Sequence, residues 1–231
     1  MKLAVLDLCV WLPEYQWDQD RFGDIVANWL RQELPEADME VIQIVEGAEL
    51  PAPHAYDGYI LSGSDKGVYD DTPWMGPLRS FLQEARDHRS PLLGICFGHQ
   101  IMADVFGGKA EKVGPPEVGV RTFDMEGTSV GAHVWHQDQV TRMPPGASVI
   151  AAAPYCPVAG LSYDFPALSV QFHPEYTADY VATFLRRSRG KVLSEAETDQ
   201  AMEQLDASTV VPDLFAARAA AFFREALAEK A

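Results

Sequence analysis

The hydrophobic positions of the first hundred residues alternate between short apolar runs and stretches with an apolar residue every three or four positions. Residues 3–10 are typical of a buried strand, and the following stretch has helical spacing until about Pro35. Further strands are predicted at 41–45, 59–61 and 91–95, with amphipathic helices after the last two. Strands that alternate with such helices predict βαβ units in a parallel sheet with helices on both faces.

The pattern changes over residues 118–172, where Pro and Gly separate several short predicted strands. From about residue 177 the spacing is helical again, with a capping-box signature at Ser194 and Glu197. We therefore predict one α/β domain over residues 1–231, with a mostly parallel central sheet, helices on both faces and the C-terminal helices packed on it. An apolar stripe marks the last helix at Phe215, Ala219, Phe222 and Ala226.

Composition and charge narrow the function classes. Apolar residues make up 47% of the chain, and 34 acidic residues against 18 basic ones give a net charge of −16. Such a surface repels phosphate backbones and anionic lipids, so we predict no nucleic-acid and no membrane partner. The N-terminus lacks a secretory pattern, and the three cysteines, widely spaced, do not resemble a disulfide framework. These features predict a cytoplasmic protein.

The segment 94–100, GICFGHQ, joins a predicted buried strand to a predicted helix. G-x-C-x-G at such a junction is the thiol form of a nucleophile elbow, a sharp turn that exposes the nucleophile above the strand ends. The turn strains the backbone at Cys96, and the small neighbours that it needs are Gly94 and Gly98. The start of the helix favours a thiolate. Taken alone, the pattern also fits a buried structural cysteine.

A thiolate nucleophile needs a histidine as proton partner and a third group that orients the histidine. His173 and Glu175 lie two positions apart, and such side chains point to the same side of an extended segment. Pro174 keeps this segment out of a helix, and the apolar run before it predicts the strand that delivers His173 to the sheet. For the tripeptide alone, a solvated turn is the alternative.

Five segments within about residues 3–176 together carry a resemblance to a known family. GICFGHQ and the QFHPE of residues 171–175 closely resemble the triad-type, class I glutamine amidotransferases. Residues 59–71 look like the family's oxyanion loop, and residues 135–140, WHQDQV, resemble a segment of the GMP synthetase glutaminase domain that 143–146 continue. The resemblance implies a flavodoxin-like class I glutamine amidotransferase fold.

The same resemblance implies roles for individual residues. Cys96 would be the nucleophile, His173 the general acid/base and Glu175 the carboxylate that orients His173. Glutamine would be hydrolysed through a γ-glutamyl thioester, with no metal and no organic cofactor. The oxyanion and substrate-binding groups would come from Gly63, Ser64, Phe97, Gln100, Trp135, His136, Gln137 and Asp138.

Two further features of the sequence bear on the site, the loop after residue 62 and a pair of histidines. The family usually has Gly-Gly-Pro where this chain has Gly63, Ser64 and Asp65, which leaves the second oxyanion donor open and reshapes the pocket for the amino-acid end of the substrate. His133 and His136 lie three residues apart, but they have no third ligand at metal-site spacing, so we predict no metal site.

Three functions remain open for a small-molecule substrate. The first, which we expect, is a glutaminase that passes ammonia to a separate synthase protein and is weakly active alone. The second is a stand-alone γ-glutamyl hydrolase or peptidase that needs no partner and prefers a substrate larger than glutamine. The third is a non-catalytic binding protein that retains the fold, although a binder has no need for all of Cys96, His173 and Glu175.

Overall fold

The computed structural model describes residues 1–10, 21–207, 210 and 213–229. The strands are β1 Lys2–Asp7, β2 Asp38–Gln43, β3 Gly58–Leu61, β4 Leu92–Ile95, β5 Lys109–Met125, β6 Thr128–Arg142, β7 Ser148–Ala153, β8 Cys156–Ser162 and β9 Ala167–Val170. The helices are α1 Phe22–Arg31, α2 Met75–Asp87, α3 Phe97–Val105, α4 Ala178–Ser188, α5 Glu195–Ala207 and α6 Asp213–Ala228, with a short 3-10 helix at Ile44–Glu46.

These strands form one sheet in the order β2-β1-β3-β4-β9-β8-β7-β5-β6. The first five, the parallel half, pair in parallel in the flavodoxin-like order. The other four, β8, β7, β5 and β6, form the antiparallel half, in which every pairing, including that of β8 with β9, is antiparallel. The predicted α/β class is therefore confirmed, and the sheet is mixed rather than parallel over most of its width.

Helices cover both faces of the parallel half because its strands are apolar on both sides. Leu3 and Val5 of β1 pack in one core with α1 and α6, whereas Ala4 and Leu6 pack in another with α2 and α3. Successive side chains of a strand point to opposite faces, so a continuous apolar run such as Leu3 to Leu6 supplies both cores.

The predicted strands differ most from the observed ones in three places. The strand expected at 3–10 already ends at Asp7. The strand expected at 41–45 begins earlier, at Asp38, and gives way to the 3-10 helix at Ile44. The several short strands expected over 118–172 include two long ones, since β5 has 17 residues and β6 has 15. Long pairing is possible because the Pro-containing segment of β5 forms a bulge, marked by a register shift between Lys112 and Glu117.

The C-terminal helices pack on two cores: α6 on the one that contains α1, and α4 and α5 on a third that contains Val118 and Val120 of β5. The capping box predicted at the start of α5 is present, since Glu197 N donates to Ser194 Oγ at 3.2 Å and Ser194 N donates to Glu197 Oε2 at 2.7 Å. In α6, Phe215 and Phe223 are buried against the core that contains α1, whereas Phe222 is half-buried. No helix in residues 1–10, 21–207, 210 and 213–229 has the length and apolar character to span a bilayer.

Candidate active site

Cys96 occupies a strained turn between β4 and α3. Its backbone has φ 53° and ψ −103°, a region that residues with a Cβ rarely adopt. The amide of Cys96 donates to Val170 O of β9 at 2.8 Å, which fixes the turn to the neighbouring strand. This is the geometry that a nucleophile elbow requires.

The two glycines of the elbow have no room for a side chain. A Cβ on Gly94 would lie 2.6 Å from the carbonyl carbon of Gly98, and a Cβ on Gly98 would lie 2.6 Å from Leu61 O. Because both contacts are with backbone atoms, neither can be relieved by turning a side chain. The strand, the turn and the helix can pass this close together only with glycine at both positions.

His173 and Glu175 form a buried pair next to the elbow. His173 Nδ1 and Glu175 Oε1 are 2.7 Å apart, and both side chains are buried. The amide of His173 donates to His133 O of β6 at 2.8 Å, and the ring of Tyr176 stacks on the imidazole at 4.1 Å with planes 1° apart. Three contacts on different sides therefore hold the imidazole in one orientation.

The charge state of His173 follows from these surroundings. Burial opposes protonation of the imidazole, but the negative charges of Glu175 and Cys96, together with hydrogen bonds to both, outweigh it and raise the pKa of His173 to about 10. These surroundings therefore favour the protonated imidazole. An imidazolium beside a cysteine stabilises the thiolate form of that cysteine.

Gly63, in the loop after β3, lies close to both Cys96 and His173. A Cβ on Gly63 would be 3.1 Å from His173 Cε1 and 3.8 Å from Cys96 Cβ. Both side chains thus flank the same point of the loop. The bare backbone at this position leaves space directly above the sulfur and the imidazole.

The peptide after Gly63 is held by Ser62, a buried residue that the sequence reasoning did not identify. Ser62 Oγ donates to Gly63 O at 2.9 Å and accepts from Leu8 N at 2.9 Å. Since the C=O and N–H of a trans peptide point in opposite directions, this bond directs the N–H of Ser64 away from Ser62. The N–H of Phe97, the first residue of α3, has no acceptor within its own helix.

Gln100 and Gln171 connect the sulfur to the antiparallel half. Gln100 Nε2 donates to Asp138 O at 2.9 Å and to Gln171 Oε1 at 3.1 Å, so both of its donors are used inside the protein. Gln171 Nε2 in turn lies 3.7 Å from Cys96 Sγ. The sequence reasoning missed Gln171, although its position two residues before His173 places it on the same side of an extended segment.

The predicted site residues meet in a cleft of about 340 Å³. It is lined by Gly63, Ser64, Cys96, Gln100, Trp135, His136, Gln137, Asp138 and His173, whereas Phe97 and Glu175 are buried behind its wall. The lining also contains residues that the sequence reasoning did not select for the site, among them Phe22, Asp65, Lys66, Tyr176, Phe184 and Val192.

One wall of the cleft comes from β6. Trp135 O lies 3.8 Å from Cys96 Sγ, and the Asp138 carboxylate accepts from the exposed Tyr69 hydroxyl at 3.2 Å. Within the described hairpin Gln137 has no partner in the register of β5, because it lies opposite the bulge.

A second cavity of about 490 Å³ shares His136 and Gln137 with the cleft. Its other lining residues include Val113, Tyr155 and Val158, and none of the residues that line it is a cysteine. His136 is held there by Asp138 O, which is 3.1 Å from Nδ1. Cys96 and His173 both line the smaller cleft, which makes it the candidate active site.

The chain belongs to the class-I glutamine amidotransferase family, whose model matches residues 22–185. It is 30% identical over 175 residues to gamma-glutamyl peptidase 3 of Arabidopsis thaliana, an alignment that covers 68% of this chain and 70% of that protein. Gamma-glutamyl peptidase 5 of the same organism is 31% identical over 57% of this chain and 59% of its own length. The glutamine-hydrolyzing GMP synthase of Aromatoleum aromaticum is 38% identical over 52% of this chain.

The chain spans only part of several of these relatives, since the match covers 26% of that GMP synthase. Among solved structures, a glutamine amidotransferase from Methylobacillus flagellatus superposes with a TM-score of 0.72 at 20% identity, over 97% of this chain and 94% of the other. A glutamine amidotransferase from Thermotoga maritima superposes with a TM-score of 0.67 at 19% identity, over 99% of this chain and 96% of the other. At these identities the likeness establishes the shared fold.

Proposed function

We propose that the protein is a cysteine-dependent amidase that hydrolyses the side-chain amide of glutamine or of a γ-glutamyl conjugate. In this proposal Cys96, His173 and Glu175 act as a catalytic triad. The observation that carries it is the buried 2.7 Å contact of His173 with Glu175 in a cleft that also contains the strained Cys96. The family membership supports hydrolase chemistry of this type.

In the first step the Cys96 thiolate attacks the amide carbon and a tetrahedral oxyanion forms. The N–H groups of Phe97 and Ser64 are the proposed donors to this oxyanion, and losing one such donor costs about 3 to 4 kcal/mol of barrier in comparable sites. His173 gives its proton to the departing nitrogen, which leaves as ammonia or an amine. Glu175 keeps the imidazolium oriented.

In the second step water hydrolyses the γ-glutamyl thioester. His173, now neutral, takes a proton from the water, the C–S bond breaks, and glutamate leaves. The thiolate and the imidazolium are thereby restored. Water is the co-substrate of this step.

The glutaminase that feeds a synthase and the stand-alone γ-glutamyl hydrolase use this same chemistry. Similarity over 70% of gamma-glutamyl peptidase 3, against 26% of the GMP synthase, supports the stand-alone hydrolase. The resemblance of the site segments to glutaminase domains supports the glutaminase, whose proposed partner is a separate synthase. The proposal places the protein in a reducing cytoplasm, where the free thiols of Cys9, Cys96 and Cys156 persist.

The test is release of glutamate from glutamine, γ-glutamyl peptides and γ-glutamyl amides by the purified chain. We expect hydrolysis that Cys96→Ala abolishes and that Cys156→Ala, a matched change outside the cleft, leaves intact. A glutamine-like electrophile should add one γ-glutamyl-sized mass at Cys96 in the same preparation. Folded protein that neither hydrolyses any of these amides nor takes the label would identify a binding protein instead.

A further inference from the structure

The cleft is lined by two chemically different groups of residues. Ser64, Asp65, Lys66 and Asp138 form what we call the polar wall. Phe22, Trp135, Tyr176, Phe184 and Val192 form the aromatic wall. A glutamine side chain offers nothing that needs so large an aromatic surface, because its leaving group is ammonia.

The aromatic wall is one continuous packing arrangement. The rings of Trp135 and Phe184 lie 4.1 Å apart, and Tyr176 and Phe22 lie 6.5 Å apart. Tyr180, behind the wall, joins them at 4.7 Å from Tyr176 and 6.2 Å from Phe184. Such ring pairs hold one another in place, so an apolar surface of fixed shape faces the cleft.

The catalytic groups show which half of a substrate meets this wall. The nitrogen that leaves must lie beside its proton donor, His173, and the imidazole is stacked on Tyr176 at 4.1 Å. Trp135 O lies 3.8 Å from the sulfur that attacks. A substituent on the leaving nitrogen therefore extends along the aromatic wall.

The γ-glutamyl half has the opposite requirement. Its ammonium and carboxylate are both charged. A charged group loses more free energy of hydration on leaving water than it gains from contact with an aromatic surface. The polar wall supplies the carboxylate of Asp138 and the ion pair of Lys66 with Asp65, whose charged atoms lie 2.7 Å apart. This assignment leaves the aromatic wall for the other half of the substrate.

On the basis of the proposed function, we infer that the aromatic wall is the binding subsite for the amine half of a γ-glutamyl amide, and that it selects amines bearing an uncharged apolar or aromatic group. Acylation forms the S–C bond from Cys96 and breaks the C–N bond. The nitrogen takes the proton of His173, and the neutral amine leaves along the wall. Water then releases glutamate as in the hydrolysis of glutamine.

The experiment compares glutamate release from glutamine and from γ-glutamyl methylamide, isobutylamide, benzylamide and 2-aminoethylamide. We expect kcat/KM to be at least about tenfold higher for the benzylamide than for the methylamide, because each apolar group that fits a subsite contributes at least this much discrimination. The ammonium-bearing 2-aminoethylamide should be the poorest of the substituted amides.

Val192→Asp tests the location of the subsite. Val192 lines the cleft and is 58% exposed, and Val149, 42% exposed on β7 and absent from the cleft lining, offers a matched Val→Asp control. We expect Val192→Asp to lower the ratio of benzylamide to 2-aminoethylamide turnover by about tenfold, and Val149→Asp to leave it unchanged. Phe184→Leu, which retains apolar volume, should lower the ratio of benzylamide to isobutylamide turnover.

The experiments distinguish a failure of the proposed subsite from a failure of the proposed function. Similar kcat/KM for benzylamide and methylamide, or a ratio unaffected by Val192→Asp, would overturn the subsite and leave the proposed amidase intact. No glutamate from any of the five amides, with Cys96 unlabelled by the electrophile, would overturn the proposed function itself.

Discussion

The parallel and antiparallel halves of the sheet contribute different parts of the cleft. β3, β4 and β9 of the parallel half are buried along their whole length, and the loops after them carry Gly63, Cys96 and His173. β5 and β6 of the antiparallel half contain both buried and exposed positions, and β6 carries the wall from Trp135 to Asp138. The proposed chemistry therefore comes from the loops after strands that are enclosed on both faces, and β6 adds one wall of the cleft from a hairpin that meets solvent.

This difference has a physical reason. A nucleophile, a proton donor and an oxyanion donor must stay within a few tenths of an ångström of their working positions, which fully packed strands ensure. A binding wall tolerates change, and a long hairpin with a bulge can change its lining without disturbing the core. Substitutions in the two halves should therefore have effects of different size.

The largest expected effect is that of Glu175→Gln in the parallel half. We expect kcat to fall by about 10⁴-fold, as when the orienting carboxylate of a comparable triad is replaced by an amide. Glu126→Gln, which removes an exposed carboxylate paired with Arg218, is the matched control and should retain full activity.

The same variant changes the pH profile in a defined direction. In the native protein His173 keeps its proton until the pH approaches about 10, so activity that needs the imidazolium is present below this value and is lost as the pH rises through it. Without the charge of Glu175 the pKa of His173 falls, and the alkaline limb of kcat/KM moves to lower pH. An alkaline limb at the same pH in both proteins would contradict the role of Glu175.

Next in size is the effect of glycine replacement on stability. Gly98→Ala places a Cβ 2.6 Å from Leu61 O, and we expect it to lower the free energy of unfolding by about 3 kcal/mol. Gly127, in the β5–β6 turn of the antiparallel half, has φ 85° and open space around its Cβ position. Gly127→Ala should cost only about 1 to 2 kcal/mol, the strain of a left-handed residue.

Urea unfolding of both variants provides the measurement. An equal loss of unfolding free energy in Gly98→Ala and Gly127→Ala would mean that the elbow is no more tightly packed than an exposed turn. Gly127→Ala should also retain amidase activity, since the turn lies outside the cleft lining.

A smaller effect is expected for Gln171→Leu, which removes the donor 3.7 Å from Cys96 Sγ. Loss of a hydrogen bond to a charged sulfur should lower kcat/KM by about 10- to 30-fold. The rate of alkylation of Cys96 by iodoacetamide at pH 7 should fall in parallel. Gln171→Glu keeps an acceptor for Gln100 but offers the thiolate a carboxylate, so unchanged alkylation in this variant would rule out the proposed donor role.

The smallest expected effect concerns the hydrogen bond of Tyr69 to Asp138, which joins a loop of the parallel half to β6. Tyr69 is 56% exposed, so this bond is worth only about 1 kcal/mol. Tyr69→Phe should raise the KM for glutamine a few-fold with little change in kcat, as expected when binding of the ground state and of the transition state is weakened equally. A fall in kcat alone would place Tyr69 in the chemical step instead.

The parallel half could largely be predicted from the sequence because its signals are local. The turn at Cys96 follows from the two glycines that flank it, and the capping box follows from Ser194 and Glu197 within one helical turn. His173 and Glu175 meet because they lie two residues apart. Each of these contacts is decided by neighbours in the chain.

The antiparallel half could not be predicted to the same extent because its contacts join distant segments. Pro115 and Pro116 interrupt the strand pattern, yet the bulge accommodates them without ending β5. The lengths of β5 and β6 depend on their mutual register, which no local pattern reveals. Phe184 on α4 had the spacing of an ordinary helix, and only its packing against Trp135 places it at the cleft.

The position of β9 in the sheet has a consequence for how the protein is made. β9 is inserted between β4 and β8, although it follows both in the chain. During synthesis Cys96 therefore leaves the ribosome before residues 167–175, which include β9 and the segment that carries His173 and Glu175. The proposed triad can assemble only after β9 has docked between β4 and β8.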